Sequence, residues 1–234
     1  VLESPALDVG PDDVVLVDGE ALPARERTRM WLYHKPRGLV TTNHDPEGRP
    51  TVFDALPEDL PRVLSIGRLD INTEGLLLFT NSGELANQLM HPRFGVEREY
   101  AVRVLGSLNE EQRAKLLEGV EIDGQTAGFK SIEEGGGEGA NRWYRVVITE
   151  GRNREVRKLF DAVGHAVSRL IRIRYGTVVL PRGLKRGVWV ELDDQDLRAI
   201  RQLASGGRGA AAQSESRDAQ GNREQRRNNG RNGK

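Results

Sequence analysis

One carboxylate, that of Asp70, stands in the stretch of the sequence best suited to catalysis. It directly follows Gly67-Arg68-Leu69, and it precedes Glu74, Gly75 and the mostly apolar run of residues 76–80. Such a run is typical of a buried strand, which could hold the polar loop before it in a fixed place. A carboxylate held in this way can act as a nucleophile or as a general acid or base. On spacing alone, an ordinary acidic loop residue is the more common interpretation.

Other blocks of sequence accompany this loop in a fixed order along the chain. They are Tyr33-x-Lys35-Pro36-x-Gly38 and residues 45–54, 83–92, 96–104, 150–157 and 168–176. Together with Gly67–Asp70 and residues 72–77, these blocks resemble the RNA pseudouridine synthases. The resemblance runs from about residue 31 to residue 203, and within the family it is to the enzymes that modify ribosomal RNA, in particular the B type of the large-subunit enzymes.

The resemblance implies an isomerase that converts a specific uridine of large-subunit (23S) ribosomal RNA to pseudouridine. That reaction breaks the bond between ribose C1′ and uracil N1 and rejoins the base through C5. Nothing is oxidised and no group is imported, so we expect neither a cofactor nor a metal. By resemblance Asp70 is the catalytic residue, and attack at C1′, addition at uracil C6 and a glycal-like route all remain open.

Arginines are the next residues that the resemblance implies for the site. Arg157 is expected to hold the charge of Asp70, since an unpaired buried carboxylate would become protonated. Arg152 and Arg154 are expected to contact phosphates. The alternative for Arg157 is a helix-face arginine that reaches solvent.

Two further residues are implied for the handling of the target base. A base inside folded RNA must leave its stack before an enzyme can act on it. Tyr100 is expected to stack on the flipped uracil, although a half-buried tyrosine is also normal in a strand. Arg68 is expected to occupy the space that the base vacates.

The charge distribution is compatible with an RNA substrate. The chain of 234 residues has a net charge of zero, but twelve bases lie between Arg142 and Arg186 against Glu150, Glu155 and Asp161 alone. Basic clusters attract phosphate backbones, whereas a solvated face with local ion pairs is the other interpretation. There is no cysteine, which excludes disulfides and thiolate metal sites.

The order of predicted elements favours an α+β fold. Strands outnumber helices and do not alternate strictly with them, and residues 38–41 are predicted as a strand piece. The resemblance implies a mainly antiparallel, curved mixed sheet in two halves, with flanking helices and a central active-site cleft.

We divide the chain into three parts. Residues 1–28 are interpreted as the remnant of an N-terminal RNA-binding domain, of the alpha-L type, with its linker, and residues 29–204 as the catalytic domain. Residues 205–234 are rich in Gly, Arg, Asn, Gln and Ser, and they are predicted to be a disordered basic tail.

The predicted partner is ribosomal RNA of the large subunit. We expect no membrane association, because no apolar run approaches the roughly 20 residues that span a bilayer, and we expect a cytoplasmic monomer. Two alternatives remain: a non-catalytic RNA-binding or ribosome-assembly protein with the same fold, and the same chemistry on small-subunit ribosomal RNA or transfer RNA.

Overall fold

A nine-stranded mixed sheet forms the centre of the protein. The computed structural model describes Val14, residues 16–21 and residues 26–206. The strands of this sheet are β3 (Met30–Lys35), β4 (Leu64–Ile66), β5 (Glu74–Thr80), β6 (Arg98–Leu105), β9 (Ser131–Gly136), β10 (Asn141–Ile148), β11 (Val167–Tyr175), β12 (Val178–Val179) and β13 (Trp189–Glu191). Two small hairpins lie apart from it, β1 (Leu16–Val17) with β2 (Glu20–Ala21), and β7 (Val120–Ile122) with β8 (Gln125–Ala127).

The sheet consists of two antiparallel halves that meet at one parallel pair. Its order is β13-β3-β5-β11-β6-β10-β9, with β4 added to β5 and β12 added to β11. β5 and β11 run parallel, pairing Glu74 with Ile171 and Gly75 with Arg172. Gly75 has φ +109°, and a Cβ there would lie 2.2 Å from the Arg172 carbonyl oxygen, so only glycine permits this close approach.

Four α-helices flank the sheet: α1 (Gly83–Met90), α2 (Glu110–Glu118), α3 (Glu155–Ala162) and α4 (Asp194–Ala204). Ser82, Asn109 and Asp193 cap α1, α2 and α4 with side-chain oxygens, which satisfy free N–H groups of the first turn. α3 has no such cap, and Arg154 before it adopts a left-handed conformation with φ 53°. The sharp entry into α3 places Arg154 and the first turn of the helix beside the Asp70 loop.

The first half of the sheet is buried on both faces. Met30, Leu32, Leu76 and Leu78 pack against α1 and α4 on one side. The alternate residues Trp31, Tyr33, Leu77 and Phe79 pack on the other side against residues of the segment 39–69. This double burial explains the continuous apolar run in β5, since a strand buried on both faces does not alternate.

The second half of the sheet has one face covered. Val102, Val104, Tyr144, Val146 and Leu170 pack beneath α2 and α3. The opposite face carries partly exposed residues such as Arg103 and Trp143.

The α+β prediction is confirmed, as are the two halves and the mainly antiparallel pairing. The strand predicted at residues 38–41 is wrong: Val40 makes only an isolated bridge to Thr51. Most of the predicted tail, residues 207–234, and most of the predicted N-terminal remnant lie outside the described residues.

Candidate active site

The loop that carries Asp70 is fastened to the sheet by a buried lysine. Lys35, at the end of β3, is fully buried and donates hydrogen bonds to the carbonyl oxygens of Asp70 (2.9 Å) and Thr73 (2.7 Å). Burial lowers the pKa of Lys35 to about 8, although the charges of Asp70 and Glu74 oppose that shift. Backbone atoms on both sides of the carboxylate are therefore held by one side chain.

The segment 38–41 holds the same loop from a second direction. The Thr41 hydroxyl donates to the Leu69 carbonyl (3.0 Å), and the Gly38 N–H donates to the Ile71 carbonyl (2.8 Å). The loop is thus fixed by backbone contacts, and the Asp70 side chain is left for other partners.

Two arginines face the Asp70 carboxylate. Arg154 Nη1 lies 3.3 Å from Oδ2, and Arg157 Nε lies 4.0 Å from the same oxygen. The Asp70 side chain is 26% exposed, that of Arg154 45% and that of Arg157 11%. Arg157 also donates to the Asn72 carbonyl at 3.1 Å, so it braces the loop and faces the carboxylate.

The pKa of Arg157 reflects this crowding. Burial lowers it from its ordinary value, and the positive charge of Arg154 lowers it further, whereas Asp70 raises it. Of the two arginines, the sequence prediction paired Arg157 with Asp70, and the structure places Arg154 closer to that carboxylate.

A small inner pocket and a larger outer cleft meet at Asp70. The inner pocket has a volume of about 110 Å³, and Tyr100, Arg68, Arg152 and Arg154 line it with Asp70. The outer cleft has a volume of about 1290 Å³ and shares Arg68, Asp70, Arg152 and Arg154 with the inner one. The structure therefore brings Asp70, Tyr100, Arg68, Arg152 and Arg154 together around connected space, with Arg157 behind Asp70.

These lining residues differ in how they are held. Tyr100 is half-buried between two of the hydrophobic clusters. Arg152 forms an ion pair with Glu150 at 3.1 Å and donates to the Thr126 carbonyl. Arg68 is exposed, and its side chain makes no hydrogen bond or ion pair within the described residues.

A buried acid lies beneath the site, where β5 begins. Glu74 is 1% exposed and pairs with Arg169 (2.9 Å) and Arg186 (3.2 Å), which hold its pKa below the usual range against the effect of burial. Sequence reasoning gave no role to Glu74 or Lys35. A signal existed for Lys35, since a single charged residue ends an apolar strand just before a proline.

Two further pocket residues were not predicted as site residues. Glu155, the first residue of α3, and Arg172 of β11 are buried and line the inner pocket. Arg172 Nε donates to the Leu76 carbonyl at 2.8 Å. Arg172 reaches the site through the pairing of β11 with β5, and Glu155 reaches it through the entry into α3; local sequence pattern reveals neither tertiary feature.

Most of the predicted basic cluster is paired with acids from elsewhere in the chain. Arg145 pairs with Glu133, Lys158 with Asp123, and Arg174 with both Glu97 and Glu99. The count of twelve bases against three acids therefore overstates the net positive charge of that segment. The cations around the Asp70 pocket are the part of the cluster that adjoins a cleft.

The sequence model of the RNA pseudouridylate synthase family matches residues 29–162, which is more than half of the chain. The chain belongs to the RNA pseudouridylate synthase family. Members of this family isomerise uridine to pseudouridine, so this pseudouridylate synthase is an isomerase that acts on RNA.

Individual relatives agree with the family match. The synthase is 52% identical over 202 residues to the ribosomal large subunit pseudouridine synthase B of Escherichia coli K12, covering 84% of this chain and 69% of the relative. The Shigella flexneri protein of that name is also 52% identical, with 84% and 70% covered. A crystal structure of a pseudouridylate synthase superposes with a TM-score of 0.66 at 26% identity, covering 85% of each chain.

Two observations of the synthase concern other kinds of site. No described helix has both the length and the apolar content needed to cross a membrane. Among the described residues, no three histidine or acidic side chains come together as a set of metal ligands.

Proposed function

We propose that this synthase isomerises a specific uridine of large-subunit ribosomal RNA, with Asp70 as the catalytic residue. The observation that carries the proposal is the pairing of Asp70 with Arg154 and Arg157 at the junction of a base-sized pocket and a larger cleft. The two relatives named above, with 52% identity, support the choice of the large-subunit RNA.

Asp70 acts as an ionised carboxylate that meets the flipped nucleotide. The guanidinium groups of Arg154 and Arg157 lie beside it, and three quarters of the side chain is covered. Whether the carboxylate attacks C1′, adds at C6 or moves a proton in a glycal route, it must be charged and fixed. The hydrogen bonds that the Lys35 and Thr41 side chains donate to the loop backbone supply that fixation.

The remaining pocket residues bind the flipped base and the RNA strand around it. Tyr100 stacks on the uracil, a contact worth roughly 1–3 kcal/mol per base. Arg68, on the same loop as Asp70, fills the place that the base leaves in the RNA. Arg152 and Arg154 line the outer cleft as well, where they contact phosphates of the strand.

Residues 29–204 form the catalytic domain in this proposal, because the large sheet and its four helices fall within them. In this proposal residues 1–28 contribute to RNA binding, and residues 205–234 serve as a basic tail. The synthase works as a monomer in the cytoplasm, where its ribosomal RNA substrate is found.

The test is to map pseudouridine in ribosomal RNA from cells that lack this gene and carry either the wild type or Asp70→Asn. The wild type should restore one or more marks in large-subunit RNA, and Asp70→Asn should restore none. Asp59→Asn, which changes an exposed acid outside the cleft, is the matched control and should restore the marks as the wild type does.

Persistence of every mark with Asp70→Asn would refute the catalytic role of that residue. A wild-type protein that binds ribosomal RNA but converts no uridine would instead support a non-catalytic RNA-binding function. Restored marks that all lie in small-subunit or transfer RNA would correct the substrate while keeping the chemistry.

A further inference from the structure

Two side chains that line the inner pocket each have one buried polar atom without a hydrogen-bond partner. The two atoms are Oε1 of Glu155 and Nη2 of Arg172, and the two residues are 5% and 2% exposed. Buried polar groups are nearly always paired, so each exception needs an explanation. A ligand in the pocket that both residues line would supply the missing partners.

The environment of Glu155 favours its acid form. Burial, together with the neighbouring carboxylate of Glu150, raises the pKa of Glu155 to about 7, although Arg152 opposes the shift. Its Oε2 accepts a hydrogen bond from the Arg152 N–H at 3.3 Å, which leaves the proton for Oε1. In the acid form Oε1 is a donor without a hydrogen-bond partner among the described residues, and the nearby Glu150 carboxylate is the acceptor with which a ligand would compete for it.

Other charged groups also surround Glu155. Arg154 precedes it in the chain and Arg157 follows it on α3. The groups that line the pocket with it from other elements are Asp70 and Arg68 of the loop, Arg98 and Tyr100 of β6, and Arg172 and Tyr175 of β11. The cations among them stabilise the ionised form of Glu155. The acid form is therefore favoured only while Glu155 is excluded from water and lies beside Glu150.

Arg172 is a second donor with a fixed position. Its Nε is held by the Leu76 carbonyl at 2.8 Å, and its guanidinium lies 5.1 Å from the centre of the Tyr175 ring. It has no carboxylate partner among the described residues, although it is almost fully buried. Its free Nη2 is therefore the second donor of the pocket.

We propose that Glu155 and Arg172 donate hydrogen bonds to the two carbonyl oxygens of the flipped uracil and thereby select uracil over cytosine. Uracil has carbonyl acceptors at O2 and O4, whereas cytosine has an amino donor in place of O4. With cytosine, one of the two buried donors would face another donor and stay unpaired, which is costly. This inference rests on the proposed function, since it assumes that a flipped uridine enters the pocket.

The first test measures selectivity with two RNA fragments. One contains the uridine mapped in the experiment above, and the other has cytidine at that position and serves as a competitive inhibitor. The wild type should prefer the uridine RNA by about tenfold or more. Of Arg172→Met and Glu155→Leu, the variant that removes the donor to O4 should reduce that preference to within about threefold, whereas the other, which removes the donor to the O2 shared by both bases, should weaken binding of both RNAs alike.

Glu155→Gln separates this role from a merely structural one. The amide keeps an acceptor for the Arg152 N–H and places an N–H₂ donor where Oε1 was, so its selectivity should match the wild type. The single-turnover rate of the wild type should fall as pH rises through about 7, and that of Glu155→Gln should not.

Two more variants fix the assignment of this pH dependence. Glu150→Gln removes the neighbouring charge and should move the fall in rate to lower pH only if Glu155 is still present. Glu118→Gln, at an exposed position of α2, should leave both the selectivity and the pH profile unchanged.

Unchanged selectivity in Glu155→Leu and Arg172→Met, or a wild-type pH profile in Glu155→Gln, would overturn this inference while the synthase activity stands. A wild-type protein that forms no pseudouridine would instead overturn the proposed function, and this inference with it. The two failures are thus distinguishable.

Discussion

The ammonium group of Lys35 lies beneath the backbone of Asp70, 2.9 Å from its carbonyl oxygen. The same nitrogen also donates to the Thr73 and Pro36 carbonyls, so a single cation ties the loop that presents the Asp70 carboxylate to the end of β3. The sheet therefore sets the position of Asp70 through its main chain, and the side chain is left to meet the arginines.

Lys35→Met should damage both stability and activity. Carbonyl groups that Lys35 now satisfies would be left buried, which we expect to lower the free energy of unfolding by about 1–3 kcal/mol. The displaced Asp70 should slow single turnover on the order of 100-fold. Urea denaturation and rapid-quench kinetics measure the two effects, and Lys115→Met on the exposed face of α2 is the control. A folded Lys35→Met with the wild-type rate would show that the loop does not need this anchor.

Substitutions of Arg154 and Arg157 should have different effects on rate and on RNA binding. Arg157 is largely buried against the loop, so Arg157→Ala should mainly reduce the single-turnover rate. Arg154 is 45% exposed and reaches the outer cleft, so Arg154→Ala should also weaken RNA binding. In Arg154→Ala, the slope of log Kd against log salt concentration should become shallower by about one unit, because one phosphate contact, and with it the release of one counterion from the RNA, is lost. Equal salt slopes for both variants would remove the phosphate contact from Arg154.

Gly75→Ala should split the sheet. A Cβ at this position would lie 2.2 Å from the Arg172 carbonyl oxygen, so β5 and β11 would have to separate. We expect a loss of about 3 kcal/mol or more in the free energy of unfolding, well above the roughly 1–2 kcal/mol that a left-handed backbone alone costs. Gly183→Ala, with φ +80° and open space around it, is the matched control for the backbone cost. Equal losses in the two variants would contradict a steric role for Gly75.

The Glu74 ion pairs should matter more than an exposed pair of the same type. Glu74→Ala leaves Arg169 and Arg186 without their buried partner, and we expect a loss of about 2–4 kcal/mol in the free energy of unfolding. Glu133→Ala breaks the exposed pair with Arg145 and should cost about 1 kcal/mol or less. Chemical denaturation of both variants checks this order, and a reversed order would refute it.

Glu155 should also make the stability of the synthase depend on pH. Its pKa is about 7 in the folded protein against an ordinary 4.5, so the folded state binds more protons between these values. Its contribution is therefore fully present below about pH 4.5 and is lost as pH rises through about 7. Relative to Glu155→Gln, the wild type should lose about 1–2 kcal/mol between pH 5 and pH 8, allowing for solvent screening. Parallel stability curves for the two proteins would contradict the raised pKa.

The sequence allowed much of this architecture to be predicted, for reasons visible in particular elements. Ser82 and Asn109 marked the starts of α1 and α2, and the apolar run after Gly75 marked β5 as buried. Asp70, Tyr100 and the arginines came from motif resemblance, and spacing alone would have favoured ordinary structural roles for Asp70 and Tyr100.

The rest depends on contacts between distant segments. Lys35 reaches the Asp70 loop across 35 positions, and Arg169 reaches Glu74 across 95. The acids that neutralise Arg145 and Arg174 lie in or next to other strands, so a count along one segment overestimated its positive charge. The raised pKa of Glu155 likewise needs the burial and the neighbouring Glu150 that only the folded chain provides.

The parallel pairing of β5 with β11 has a consequence for when this protein becomes able to modify RNA during its synthesis. Asp70 belongs to the portion made first, whereas Tyr100, Arg154, Arg157 and Arg172 follow it out of the ribosome. A nascent chain that ends before β11 holds the acid without its full set of companions. We therefore expect competence to modify RNA to be acquired late in translation, once the later strands have docked onto the earlier ones.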